Sequence, residues 1–422
     1  MGPGDRRALR NRPEVVMGSL DVVVVVGTGA AGTTAARTLR AEGFGGRLVL
    51  LGDEPAAPYK RPPLSKGYLT GDTPRERLRQ QDDTSYAELG IELLPGTAAV
   101  RLDRGAGEVE LGDGGRLRYD RLLLATGAAP RRLQVPGAEL AGVQTLRTLA
   151  DADALREALA ARTGRLVVVG GSWIGAEVAS SARQRGWDVT IVDPAAVPLA
   201  RAVGPEMGAY LRDLHPAHGV RVLTAGVASV EGNGHVEAVV TTDGDRLGAD
   251  LVVVGIGVVP RTELAAAAGL EVGDGVVVDP LLTTSDPRVL AAGDVASVST
   301  PRYGRHLRVE HWEVAKAQGR AAALAILGRG AAYDAVPFFY SDQYDVGLEF
   351  RGRLQGGERL VLRGRPGDGP FVAFWLRGDR VAAAMNVDVW DAADALARLV
   401  THALPADAAR LADPAVPLAD AA

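Results

Sequence analysis

The chain has 422 residues and a mass of 43.9 kDa, with 47% apolar and 23% charged residues. Its 47 basic and 52 acidic residues leave a net charge of −5, which argues against a nucleic-acid binder, a class that carries a basic excess. Cysteine is absent, so a disulfide framework, a Cys-ligated metal or iron–sulfur centre and a redox-active dithiol within the chain are all excluded.

At about 100–200 residues per domain, this length predicts two to four domains. No apolar run approaches the ~18–20 residues of a membrane span. The longest, such as LVVVGIGVV at 251–259, have the length of a buried strand. Residues 1–20 carry Arg6, Arg7, Arg10 and Arg12 but no apolar stretch. They read as a disordered extension upstream of Met17 and not as a secretory signal. A soluble, cytoplasmic protein is expected, with no membrane or nucleic-acid partner.

The first strand–turn–helix unit is DVVVVVGTGAAGTTAARTLRAEGF at 21–44, followed by RLVLLGDE at 47–54. Its apolar run does not alternate, as in a parallel strand covered on both faces. Gly27, Gly29 and Gly32 are spaced G-x-G-x-x-G. In that motif the first glycine makes the turn, the second admits a pyrophosphate, and the third lets helix and strand pack closely. The phosphate then meets a helix N-terminus, where free N–H groups and the dipole favour anions. Asp53 ends the next strand, where an acid binds ribose hydroxyls.

Two further strands end in turn signals, RLLLATGAAPR at 121–131 and DLVVVGIGVVP at 250–260. Between them lies a second copy of the unit, RLVVVGGSWIGAEVASSARQRGW at 165–187 with DVTIVD at 188–193. Gly170 and Gly175 take the first and third glycine places, and Ser172 takes the second. Ser172 either borders the phosphate or is a plain helix N-cap. Asp193 either bonds the adenosine ribose or opens the turn before Pro194. In the first role its carboxylate would repel a 2′-phosphate and favour NADH, while Arg201 leaves NADPH open.

This is a doubly wound α/β fold in duplicate. TTSDPRVLAAGDVASV at 283–298 closes on Gly-Asp, so the first unit is expected to resume after the second. The expected division is 18–128 with 256–328 for one nucleotide domain, 129–255 for the other, and 329–422 for a C-terminal α+β domain. That last part shows strands in PFFYSDQYDVGLEFRG, ERLVLRGRP and GPFVAFWLRGDRVAAAMNV, then a helical pattern at 390–404. The tail PADAARLADPAVPLADAA reads as weakly structured. The six His show no metal spacing, so no metal site is expected.

Two dinucleotide sites suggest a flavin and a nicotinamide. With no cysteine pair, the electrons must go to an external acceptor: a redox protein, a quinone or oxygen.

A wider set of motifs runs along the chain: PYKRPPLSKGYL (58–69), ATG (125–127), IGAE (174–177), GIG (255–257), TSDPRVLAAGDVA (284–296), VEHWEVAKAQGRAA (309–322) and SDQYDVGLEF (341–350). In that order they resemble FAD-dependent ferredoxin reductases of the putidaredoxin-reductase type, over residues 21–418. The resemblance implies a glutathione-reductase-like pair of dinucleotide-binding domains with a C-terminal interface domain. It implies FAD contacts at Ala31, Asp53, Lys66, Ala99, Arg131, Asp294 and Trp312. Thr126, Gly257 and Ile174 join the cofactor-binding set through their motifs.

The same resemblance puts Lys66 and Glu177 together beside the isoalloxazine as the catalytic pair. It places His311 and Trp312 on the flavin's pyrimidine side. It implies an NADH-dependent reductase that passes electrons through FAD to an iron–sulfur ferredoxin serving a haem monooxygenase or ring hydroxylase, as a monomer or homodimer. A ferredoxin is usually acidic, so Arg302, Arg305 and Arg308 are candidates for a basic docking patch. The alternatives are an NADH:quinone or oxygen oxidoreductase, and a redox-switched flavoprotein resembling apoptosis-inducing factor. Two departures stand out: Tyr340 where many relatives carry Trp, and Arg261 where Asn is common.

Overall fold

The computed structural model describes residues 20–80 and 86–421, so the extension expected upstream of Met17 lies outside the described residues. One parallel sheet has the order Val289–Ala291, Arg121–Leu124, Val22–Val26, Arg47–Gly52, Ile91–Pro95. Its central strand buries Val23, Val24 and Val25 completely, which suits a β-branched run covered on both faces. A second parallel sheet has the order Arg221–Thr224, Asp188–Asp193, Arg165–Val169, Leu251–Val254, Val143–Gln144.

In each sheet the strand leading into the glycine turn lies between the next strand and a later one. The turn therefore sits at the topological switch point, where open α/β sheets bind ligands. In each sheet a three-stranded antiparallel meander, beginning at Ala99 in one case and Val227 in the other, is inserted before the strand Arg121–Leu124 or Leu251–Val254. The chain crosses between the two halves as the antiparallel pair Ala128–Pro130 and Val258–Pro260.

The C-terminal sheet is antiparallel, in the order Phe338–Gln343, Val346–Gly352, Arg380–Val387, Phe371–Arg377, Arg359–Arg363. One face, with Leu348, Phe350 and Met385, packs on Met207 and Leu211 of the helix Ala200–Ala217. The other packs on Leu396 and Leu399 of the helix Ala393–Thr401. The tail departs from expectation. Asp407 caps a short helix, Ala408–Ala412, and Leu411 is fully buried against that second face. A good cap and a buried apolar anchor order this Ala- and Pro-rich segment. Among the described residues no helix is long and apolar enough to cross a membrane.

Candidate functional site

Gly27 and Gly170 adopt φ of +120° and +99°, the region that favours glycine. A Cβ on Gly27 would lie 2.1 Å from the Ala125 carbonyl oxygen, and one on Gly170 2.5 Å from that of Gly255. The third glycines match more closely still. A Cβ on Gly32 or Gly175 would lie 1.9 Å from the carbonyl oxygen of Gly27 or Gly170. Gly29 faces open space, with nothing within 4 Å of its Cβ position.

Gly29 and Ser172 share one backbone conformation, φ −75° and −79° with ψ −171° in both. Each stands at the N-cap of a 12-residue helix, Ala30–Ala41 or Trp173–Gln184, and neither helix has a side-chain cap. The Ser172 hydroxyl is therefore not serving as a plain cap. By contrast, Thr148 and Asp151 cap the helix Leu149–Ala161 reciprocally. An uncapped first turn beside an open glycine cradle fits a pyrophosphate.

Around the first turn, the exposed Asp53 accepts from Arg261 Nη1 at 2.8 Å. The Thr126 hydroxyl donates to the Arg261 carbonyl at 2.8 Å, and the Arg131 amide donates to that of Gly257 at 2.9 Å. The Thr97 amide donates to the Gly52 carbonyl at 2.7 Å, bringing the half-buried Ala99 segment toward Asp53. Ala31 is buried under Gly293 and Gly319, whose Cβ positions lie 3.0 Å from Ala31 Cβ and 2.2 Å from its carbonyl oxygen. Gly319 belongs to the helix Trp312–Ile326, whose first residue, Trp312, is half-buried. Asp294, next to Gly293, pairs with Arg147 at 2.8 Å. Arg61 donates to the Arg147 carbonyl at 2.7 Å and pairs with Glu54, which also accepts from the Tyr59 hydroxyl. No local pattern distinguishes Arg147, Arg61 or Glu54, and sequence reasoning missed them.

The second turn is more open. Ile174 is 43% exposed, and Ile256 beside Gly257 is 36% exposed. The half-buried Asp193 accepts from the Gly171 and Ala195 amides, each at 2.8 Å, so its carboxylate is oriented by backbone. Arg201 is exposed at the start of the next helix.

Lys66 and Glu177 lie 111 residues apart and meet at 2.8 Å, with side chains 16% and 3% exposed. Glu177 Oε2 also accepts from the Ser65 hydroxyl at 2.5 Å, and Oε1 from that of Ser341 at 2.7 Å. Lys66 donates weakly to the Pro62 carbonyl at 3.3 Å, and the Tyr340 ring lies 5.6 Å from Nζ. An ammonium has three donors, so one remains without an acceptor among the described residues. His311 caps its helix by accepting the Glu313 amide at Nδ1, 3.2 Å away. Burial, and then repulsion from Lys66, pushes its pKa down to about 4, so it is neutral at pH 7.

The proposed basic patch needs correction. Arg308 is only 9% exposed and pairs with Asp274 and Glu310, and Arg302 pairs with Asp334. Two of the three arginines are thus neutralised by neighbours. Among the described residues no group of three or more His, Asp or Glu is placed to hold a metal.

Two nucleotide-type sheets bridged by a largely buried Lys–Glu pair, with a third antiparallel sheet against them, define a two-nucleotide oxidoreductase. Comparison with known proteins agrees. The profile of the pyridine nucleotide-disulphide oxidoreductases matches residues 21–319, and that of the reductase C-terminal domain matches 338–422. The chain belongs to the pyridine nucleotide-disulphide oxidoreductase family.

It is 40% identical to putidaredoxin reductase of Pseudomonas putida over 409 residues, 95% of this chain and 97% of that one. It is 42% identical to rhodocoxin reductase of Rhodococcus erythropolis over 87% of this chain and 86% of the other. The ferredoxin–NAD(+) reductase component of the Burkholderia cepacia anthranilate 1,2-dioxygenase system is also 42% identical, over 95% of this chain and 99% of its own. Among solved structures, the covalent putidaredoxin reductase–putidaredoxin complex matches with a TM-score of 0.91 at 40% identity, covering 94% of this chain and 97% of that one.

Proposed function

We propose that this protein is an NADH-dependent FAD reductase that delivers electrons to an iron–sulfur ferredoxin, which in turn feeds a haem monooxygenase or ring hydroxylase. The observation that carries this reading is the pair of uncapped glycine turns in a chain with no cysteine. Electrons that enter have no internal disulfide to reduce and must leave to a partner. The named relatives, all reductases and one of them a ferredoxin–NAD(+) reductase component, support it.

In this reading the covered first turn holds the FAD pyrophosphate and Asp53 its adenosine ribose. Ala31, Ala99, Thr126, Arg131, Asp294 and Trp312 line the rest of that site. The open second turn takes NADH, with Gly170, Ser172, Ile174, Gly175 and Gly257 along the nucleotide and Asp193 on its ribose. FAD supplies acceptance of a hydride and release of single electrons. Lys66 presents its spare proton to the flavin edge, and Glu177 holds Lys66 and shapes the nicotinamide pocket. Placement of the two rings contributes through proximity and orientation. The domain division 18–128 with 256–328, 129–255 and 329–422, a cytoplasmic location, and a monomeric or homodimeric state belong to the same proposal.

The test follows cytochrome c reduction by NADH with and without an added two-iron ferredoxin. Strong dependence on the ferredoxin is expected. Rapid flavin bleaching by NADH with no ferredoxin effect would sink the reading and favour a quinone or oxygen reductase, or a redox-switched binding protein.

A further inference from the structure

The segment Ser341-Asp342-Gln343-Tyr344 lies on and just beyond the edge strand Phe338–Gln343 of the C-terminal sheet. Ser341 and Gln343 point to the same face as Phe339, Leu348 and Phe350, which belong to an apolar cluster. They are 1% and 2% exposed. Two polar side chains on such a face cost free energy unless they are hydrogen-bonded, and an apolar pair would pack there more cheaply.

Their bonds run in one direction. Gln343 Nε2 donates weakly to the Ser341 hydroxyl oxygen at 3.4 Å, its own Oε1 having no hydrogen-bond partner among the described residues, and that hydroxyl donates to Glu177 Oε1 at 2.7 Å. A hydroxyl has a single proton, and an incoming donor on its oxygen directs that proton outward, here toward the carboxylate. The two oxygens of Glu177 are thereby divided. Oε2 serves Lys66 and Ser65, while Oε1 is occupied by Ser341. Without Ser341, a 3%-exposed carboxylate oxygen would lack a donor. The charged donor at hand is Lys66, and a carboxylate can engage one ammonium through both oxygens. That second contact would consume the proton Lys66 otherwise has to spare.

We propose that Ser341 and Gln343 are positioning residues for hydride transfer: they saturate Glu177 Oε1 so that Lys66 bonds Glu177 through one oxygen and keeps one proton for the flavin edge. The inference rests on the placement of Lys66 beside the flavin proposed above. It gives the C-terminal sheet a part in the chemistry.

The test uses the FAD-loaded protein with Ser341→Ala, Ser341→Cys and Lys66→Ala. It measures the two-electron midpoint potential, the FAD dissociation constant, and the rate of flavin reduction by NADH. A hydrogen bond to a charged group corresponds to a factor of about ten. Ser341→Ala should therefore lower the potential by ~30 mV, the two-electron equivalent of that factor. It should slow flavin reduction about tenfold while FAD affinity holds. Cysteine, a weaker donor, should fall between alanine and wild type.

A role in packing alone would lower the melting temperature and leave the potential in place. Wild-type potential and rate in Ser341→Ala, with both altered in Lys66→Ala, would overturn this inference and leave the site reading standing. If Lys66→Ala moves neither quantity, the site reading fails and takes the inference with it. Should Ser341→Ala not retain FAD, Gln343→Leu carries the test. A smaller shift of the same sign is expected, and an unchanged potential overturns the proposal.

Discussion

The two glycine turns are near copies in backbone and opposites in surroundings. Both close on a third glycine whose Cβ would strike the first glycine's carbonyl at 1.9 Å, and both open an uncapped helix. Yet Ala31 of the first is 5% exposed beneath Gly293 and the helix Trp312–Ile326, whereas Ile174 of the second is 43% exposed. Their acids differ as well. Asp53 is held by a side chain, Arg261, and Asp193 by two backbone amides. On the proposed reading, one glycine-turn unit serves a resident or an exchanging nucleotide according to what is packed over it. A lid of helix suits a cofactor that stays. A bare rim with a pre-oriented acid suits one that comes and goes.

The largest expected effect separates the two turns directly. Gly32→Ala and Gly175→Ala create the same 1.9 Å conflict in different halves. Overpacking of this kind predicts about a hundredfold loss of nucleotide affinity at the altered turn. Gly32→Ala should emerge short of flavin by its absorbance ratio, and Gly175→Ala should remain yellow but fail to titrate with NADH. Equal flavin loss in both would erase the distinction drawn above.

Next comes the contact that joins the halves. Lys66→Ala strands a buried carboxylate and should cost about 3 kcal/mol of unfolding free energy, read from denaturant midpoints. An effect within error would show that Ser65 and Ser341 satisfy Glu177 unaided.

Asp193→Ala is expected to narrow the NADH-over-NADPH ratio of kcat/KM about tenfold, by removing one like charge from the 2′-phosphate. An unchanged ratio would reduce Asp193 to a turn residue.

The last effect concerns pH. His311, on the lid of the first turn, and His215, in the second half, are each lowered from 6.5 to about 4, mainly by burial. Between those values the unfolded chain binds more protons than the folded one, so stability should decline as pH falls from 6.5 toward 4. His311→Asn should blunt the pH dependence of FAD retention and His215→Asn should not, as read by flavin fluorescence on acidification.

Legibility in the sequence followed range. The turns at Gly27 and Gly170 announce themselves because strand, glycines and helix are contiguous, and the three C-terminal strand segments do so by turn signals and apolar runs. Lys66 with Glu177 was reachable only through resemblance, since no periodicity links residues 111 apart. Asp53 with Arg261 and Asp294 with Arg147 span 208 and 147 positions. Arg261 stood out only as a departure from relatives, with no hint of the carboxylate it meets. Arg302 and Arg308 looked like parts of a patch because Asp334 and Asp274 come from elsewhere in the chain, although Glu310, two residues from Arg308, is local. The tail misled for the converse reason. It is rich in Ala and Pro with no clear periodicity, but one cap and the buried Leu411 order it.

Trp390 is 54% exposed and lies over Gly347, where even a methyl group would come within 2.7 Å of the indole. Trp187 and Trp375 are 1% and 3% exposed. An aqueous quencher such as iodide should therefore extinguish Trp390 emission well before theirs. Gly347 pairs with Asp342, next to Ser341 on the edge strand, so anything that settles on that corner of the sheet should screen the indole. The molecule has an optical gauge of coverage already in place, with no label to attach.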